Sequence, residues 1–301
     1  MAAFKTEPKD GERKGLARRV SGPLSKPAQI MTVGMLEQAL LKKYPAADAE
    51  EWDRTGITVG DPAAAVRGVA LALDATVPAI KTARDAGANV LLTHHPAFLA
   101  APDTFRPGAS AAEANGAVVW AAVESGVALM NFHTALDVSA DAARALPSML
   151  GLTLKGVVDP IGTARRKGYG QLCAVQASDA PLTLGRLAAR CVSVFGRQPR
   201  VWGDFSRELK TVATCTGSAG DLLAKCRAAG VECLVAGEVK YHAALEFSQA
   251  GLAIIEVGHD VSELPLVAVL AAAVRGAGIA EDMITVIDQG SNWTTPEAIR
   301  V

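Results

Sequence analysis

NVLLTHHPAF, residues Asn89–Phe98, is an apolar run that ends on two adjacent histidines and a proline. Val90, Leu91 and Leu92 read as a short buried strand. Pro96 has no amide hydrogen to give to a sheet and restricts His95 to extended backbone, so the strand stops at the histidines. His94 and His95 therefore stand at the carboxyl end of a strand, where open α/β sheets bind their ligands. The chain's other three histidines, His133, His242 and His259, each also follow an apolar, strand-like run. Taken singly, any of them reads as a satisfied core or surface histidine. As a set in matching positions they read as a metal site.

On either side of this stretch, strand-like and helix-like segments alternate. A helix is expected after Thr32, a good N-cap, with Val33, Leu36, Leu40 and Tyr44 on one face. EEWDRTGITVGD (50–61) reads as polar and turn-like around Trp52. Strands are then expected at 69–74 and Val127–Phe132, and helices at Val77–Ala86, within 109–125 and near 141–150. DPIGTARRKGYG (159–170) is the most linker-like stretch. Beyond it, strands are expected near 171–176, 199–203, 210–215, 232–236, 252–257 and 283–287, with helices between. This is an α/β pattern with helices on the faces of sheets. It divides the chain into a first half, 31–160, and a second half, 161–301. Residues 1–30 carry seven Lys/Arg, three Asp/Glu and almost no large apolar side chains. They read as a basic, disordered extension without the apolar core of a signal peptide.

The second half echoes the first. SGVALMNFHTALD (125–137) is answered by AGLAIIEVGHDVSE (250–263), and VALA (69–72) by VATC (212–215). In the longer pair a glycine opens an apolar strand, a histidine closes it, and a carboxylate follows four residues later: His133/Asp137 and His259/Glu263. On a helix such a pair shares a face, so both side chains can point at one spot. A surface ion pair would look the same once; its recurrence at matched places favours two similar α/β halves with the site at their junction.

The 301 residues allow two domains and ample core. Half the residues are hydrophobic but only 5% are aromatic, so the core must be built from Ala, Val and Leu. Thirty basic residues against 31 acidic ones argue against a nucleic-acid-binding surface. The longest apolar run, Leu264–Val274, is well short of the roughly 20 residues that cross a membrane and reads as a buried helix. Five cysteines without a C-x-x-C pair read as buried free thiols of a cytoplasmic protein.

Imidazole and carboxylate without thiolate suit Zn, Fe or Mn in a site that does chemistry rather than a structural zinc. There are more such side chains than one open catalytic zinc uses. Two ions sharing bridging carboxylates would use them, and ion pairs of this kind polarise a substrate oxygen and activate water, the chemistry of hydrolysis. Asp137 and Glu263, with two oxygens each, are the natural bridges. A nucleophilic triad is a poor competitor, because the chain has no G-x-S-x-G. CTGSAGD (215–221) is either a phosphate-holding turn or a tight strand-to-helix packing.

WDRTG, LLTHHPAF, FHTALD, AGEVKYH and GHDVSE, in this order, resemble the motifs of the Nif-three-like dinuclear-metal family, the GTP cyclohydrolase 1 type 2 homologues. The resemblance runs from Met31 to the C-terminus. It implies that His94, His95, Asp137, His259 and Glu263 bind two divalent metal ions, and that two related α/β halves assemble into a ring-shaped homohexamer. It further implies a metal-dependent hydrolase acting on a nucleotide-like substrate, with opening of the GTP ring as the model reaction. Glu238 and His242 fall where an acid/base group could stand, or in a salt-bridged loop. His133, Lys240, Trp52 and Asp53 are expected behind the ligands. Three residues depart from the family's pattern beside the ligands: Arg54 for Asn, Ala135 for Asn, and Asp260 for an aromatic. The same ligand set would also serve a metal carrier or cofactor-assembly protein, or an interaction scaffold whose metals are structural.

Overall fold

The computed structural model describes residues 30–108, 110–162, 166–291 and 293; the basic extension expected at residues 1–30 lies, apart from Ile30, outside the described residues. Two sheets with helices on their faces make an α/β fold. The first sheet has the strand order β1 (Gly56–Val59), β4 (Ala128–Asn131), β3 (Val90–Thr93), β2 (Val69–Ala72), β13 (Ile284–Val286). In it β2, β3, β4 and β13 run parallel and β1 is antiparallel to β4. The second has the order β5 (Leu152–Pro160), β6 (Gly168–Val175), β10 (Thr211–Ser218), β11 (Cys233–Glu238), β12 (Ala253–Glu256), β8 (Arg200–Trp202). Here β10, β11 and β12 are parallel, with β8 antiparallel beyond β12. Each sheet thus holds three consecutive parallel strands and an antiparallel edge beside the third. A two-stranded ribbon pairs β7 (Leu182–Thr183) with β9 (Glu208–Leu209).

Strands covered on both faces are expected to be predominantly apolar, and β2, β3 and β4 are, with Thr93 and Asn131 at the ends of the last two. Along β2, Val69 and Leu71 enter one core while Ala70 and Ala72 enter another, as the two-residue period of a strand requires. Helix α1 (Val33–Lys43) lines the first of these cores; α2 (Val77–Asp85) and α3 (Ala114–Ser125) line the second. The second sheet likewise carries α6 (Leu184–Phe195) on one face and α7 (Leu222–Ala228) with α8 (Tyr241–Gln249) on the other. Thr32 caps α1 and Thr76 caps α2, each side chain accepting from the amide three residues on. Among the described residues, no helix is long and apolar enough to cross a membrane.

Three short-range expectations differ from the structure. The turn-like stretch around Trp52 contains β1, an edge strand made by pairing with distant β4 and by the Glu37 carboxylate accepting from Ile57 N at 2.7 Å. The two ends of the linker-like stretch 159–170 are paired in the β5–β6 hairpin, with Asp159 opposite Tyr169 and Pro160 opposite Gly168. Sheet membership consequently changes before Leu152 rather than at 160/161, and β13 returns to the first sheet.

The last long helix, α9 (His259–Gly276), packs against both sheets. It packs on β10 and β11 of the second sheet while Leu266, Leu270 and Val274 enter the core of the first. Its first turn therefore lies where the sheets meet.

Candidate metal centre

Two backbone bonds carry the histidine pair past the end of β3: His94 N donates to Ala72 O at 3.4 Å and His95 N to Leu73 O at 3.0 Å. Pro96 then turns the chain away. Beside it, β4 runs through Phe132 to His133, which precedes the one-turn helix α4 (Thr134–Asp137); Asp137 N donates back to His133 O at 3.1 Å. From the other sheet, β12 leads through Gly258, at φ 112°, into α9, whose first residue is His259 and whose fifth is Glu263. The carboxyl ends of the parallel strands in both sheets thus deliver these side chains to one place.

Each of these four histidines has its Nδ1 engaged by an oxygen. His94 Nδ1 lies 3.1 Å from Phe132 O, His95 Nδ1 2.8 Å from Asp74 Oδ1, His133 Nδ1 3.2 Å from Asp53 Oδ1, and His259 Nδ1 3.2 Å from Glu238 Oε1. Carbonyl and carboxylate oxygens only accept, so Nδ1 carries the proton and Nε2 the free lone pair. Those lone pairs converge on the carboxylates. His94 Nε2 is 3.6 Å from Asp137 Oδ1 and 3.7 Å from Glu263 Oε1, whereas Glu263 Oε2 is 2.9 Å from His95 Nε2 and 3.1 Å from His259 Nε2.

Acceptors facing acceptors is an arrangement that wants a cation between them. Among the described residues, His94 Nε2 and Glu263 Oε2 are buried and lack a hydrogen-bond partner. Three groups of donor atoms lie within 4.8 Å of one another: His94/Asp137/Glu263, His95/His259/Glu263 and His94/His95/His133. Glu263 belongs to both groups that contain a carboxylate, Asp137 to one. The residues fit a metal centre, and His133, expected behind the ligands, stands in the ring of donors. Without a cation the imidazoles bind protons instead. Burial alone would lower His95, but the Asp74 and Glu263 carboxylates beside its two ring nitrogens outweigh it and push it up to about 10. The Glu263 carboxylate raises His259 to about 9. Burial opposes the charge on Glu263, yet His259, His94 and His95 together hold it well below the usual carboxylate range; Asp137 is raised, chiefly by burial.

The CTGSAGD stretch belongs to this site by packing. Thr216 Oγ1 donates to Asp137 Oδ1 at 3.1 Å, and Gly217 N donates to Ser262 Oγ at 2.9 Å. Gly217 has φ 59°, and a Cβ there would lie 2.2 Å from Glu263 Oε1. The residue must be glycine because its backbone forms the wall against the carboxylate. Asp74 and Thr216 are site residues that sequence reasoning missed. The available signal for Asp74 was its position, a carboxylate just beyond β2.

Asp53 accepts from Thr134 N at 2.9 Å and from the Thr134 hydroxyl while holding His133. Burial notwithstanding, His133 and Thr134 keep Asp53 at about 2. Trp52, 56% exposed, meets the His133 ring edge-on at 5.7 Å. A cleft of about 650 Å³ opens onto His95 and His259, walled by Asp74, Glu238, Asp260, Arg197, Arg200 and Trp293 among others. Glu238 lines it. His242 does not: it is exposed on the first turn of α8, against Tyr241, because the chain turns away after β11. Lys240 is the exposed N-cap residue of the same helix. The three departures also have partners. Asp260 forms a two-point ion pair with Arg197, at 2.6 and 2.9 Å. Arg54 donates to Leu99 O at 2.7 Å and lies over the Phe98 ring, and Ala135 is buried in the first core.

Comparison with known proteins finds relatives over most of the chain. A family model described as Duf34/NIF3 (NGG1p interacting factor 3) matches residues 31–289. A Streptomyces coelicolor protein named GTP cyclohydrolase 1 type 2 homolog is 33% identical over 235 residues, which is 75% of this chain and 80% of the relative. A Clostridium acetobutylicum protein of the same name is 27% identical over 236 residues, 77% of this chain and 85% of the relative. Among solved structures, a hypothetical protein of Staphylococcus aureus superposes with a TM-score of 0.77 at 21% identity, covering 91% of this chain and 100% of its own. A Bacillus cereus protein related to NIF3 gives a TM-score of 0.75 at 19% identity, again covering 91% and 100%.

Proposed function

Because the chain belongs to the Duf34/NIF3 family, we propose that it binds two divalent metal ions where its sheets meet and uses them to hydrolyse a nucleotide-like substrate. The observation that carries this is the sharing of Glu263 between two donor groups, with His94 Nε2 and Glu263 Oε2 buried and without hydrogen bonds. Leaving a polar atom buried and unpaired costs about 1–3 kcal/mol, a cost that ligation would offset. His94, Asp137 and Glu263 would hold one ion; His95, His259 and Glu263 would hold the other, with His133 beside the first pair of histidines.

Bound there, the ions would polarise a substrate oxygen and acidify water. The protein's own side chains do the rest. Asp74, Asp53 and Glu238 fix the tautomer and direction of three imidazoles, an arrangement on which metal sites depend. Glu238, with its side chain 55% exposed at the cleft, is the group available to take or give a proton. The cleft's volume lies in the range of small-molecule sites and admits a nucleotide. The relatives' shared name points to the same substrate class. The same reading includes a homohexamer, to be sized by light scattering, and a reducing cytoplasmic compartment that suits five buried free thiols.

The test is turnover of a nucleotide panel by metal-loaded protein, with Glu238→Gln as the paired variant. Turnover that falls at least roughly tenfold in the variant at unchanged metal content supports the proposal. Full metal loading with no turnover on any nucleotide contradicts hydrolysis and leaves a carrier.

A further inference from the structure

Beyond β13 the chain passes the turn that follows β2, and one side chain on this path binds that turn. Ile287 N still pairs with Leu71 O at 2.8 Å, so the backbone follows β2 to that point. There the Gln289 side chain takes over from the backbone. Its Oε1 accepts from Leu73 N at 3.0 Å and from Asp74 N at 2.9 Å, while its Nε2 donates to Asp74 O at 3.0 Å. A single carboxamide thus holds three successive peptide units of the turn between β2 and α2. That turn carries Asp74, whose Oδ1 holds His95 Nδ1 at 2.8 Å. Leu73 O also accepts from His95 N, so the same turn fixes the backbone of the histidine. Further on, Arg197 lies 4.1 Å over the Trp293 ring and is itself paired with Asp260, next to His259. The path is therefore anchored at the Asp74 turn and, through Trp293, at Arg197.

We propose that Gln289 is a positioning residue of the metal centre, acting through Asp74 on the direction of the His95 ring. The proposal rests on His95 being a metal ligand. A ring held at Nδ1 by a fixed carboxylate keeps Nε2 on its target, and partners of this kind are typically worth about 10–100-fold in metal affinity. Freed from Gln289, the Asp74 turn has two amides without a partner and a carboxylate without a fixed place. His95 then loses its direction, whereas His94, held by Phe132 O on another strand, does not.

The test uses the full chain loaded with cobalt(II), in wild type, Gln289→Ala, Gln289→Met, Asp74→Asn and the Gln289→Ala/Asp74→Asn double variant. Affinity is read by chelator competition and ligand-field change by visible absorption. Gln289→Ala and Gln289→Met should weaken one of the two ions about tenfold and alter its absorption band, leaving the other ion within about twofold. The double variant should bind no more weakly than Asp74→Asn alone, since both changes cut one chain of contacts. A merely structural role would weaken both ions together or neither. Wild-type protein that binds two ions while the Gln289 variants bind them equally well overturns the proposal and leaves the metal centre standing. Wild-type protein that binds no cobalt overturns the metal centre itself.

Discussion

Gly217 is a residue at which the centre tolerates little change. Alanine at φ 59° costs about 1–2 kcal/mol, which a chain of this size withstands. Its Cβ would nevertheless stand 2.2 Å from Glu263 Oε1, closer than any two such atoms approach, so the carboxylate must move. Gly217→Ala is therefore expected to fold, with a urea midpoint near that of the wild type, and to lose most of its bound metal. Metal analysis and urea denaturation on the same preparation check it; full metal content in the folded variant would show that Glu263 is not a ligand. The glycine's role was legible only as an ambiguity. CTGSAGD looks alike whether it wraps a phosphate or a neighbouring carboxylate, because the partner that decides is 46 residues away at Glu263.

At the level of elements, the three stretches that supply the donors were readable because each is local: an apolar strand, its end, and a histidine with a carboxylate one helical turn on. The residues that orient them were not. Asp74, Thr216 and Gln289 reach the site across strand ends, and a sequence does not state which strand ends are neighbours. The same reason hid β1 and β5, whose pairing with β4 and β6 outweighs polar, glycine-containing sequences. The start of β3 offers a test of this level. Asn89, 4% exposed, has its Oδ1 accepting from Arg67 N at 2.7 Å and its Nδ2 donating to Ala65 O at 2.9 Å. Asn89→Ala removes the side-chain partner of Arg67 N and of Ala65 O and should lower stability by roughly 1–3 kcal/mol. It should leave metal content unchanged, because the end of β3 that carries the histidines is untouched. Calorimetric melting with metal analysis separates the two effects, and a variant as stable as wild type would contradict the role given to Asn89.

For the whole molecule, the centre is a staple. Its donors come from the ends of β3 and β4 in the first sheet and from α9, which also packs on the second. A metal bound only by the native state stabilises it by about 4 kcal/mol when free metal exceeds Kd a thousandfold. Chelation should therefore lower the melting temperature and readdition restore it; a melting temperature indifferent to chelator would mean that the halves hold together without metal. The proposed function rests on Glu263 serving both ions. It is tested most directly by the metal-to-protein ratio of purified wild type, His259→Ala and Glu263→Ala. Wild type should carry about two ions per chain and His259→Ala about one, while Glu263→Ala should fall toward none, because both ions lose a ligand and the charge between them. A Glu263→Ala protein that keeps both ions would contradict the account.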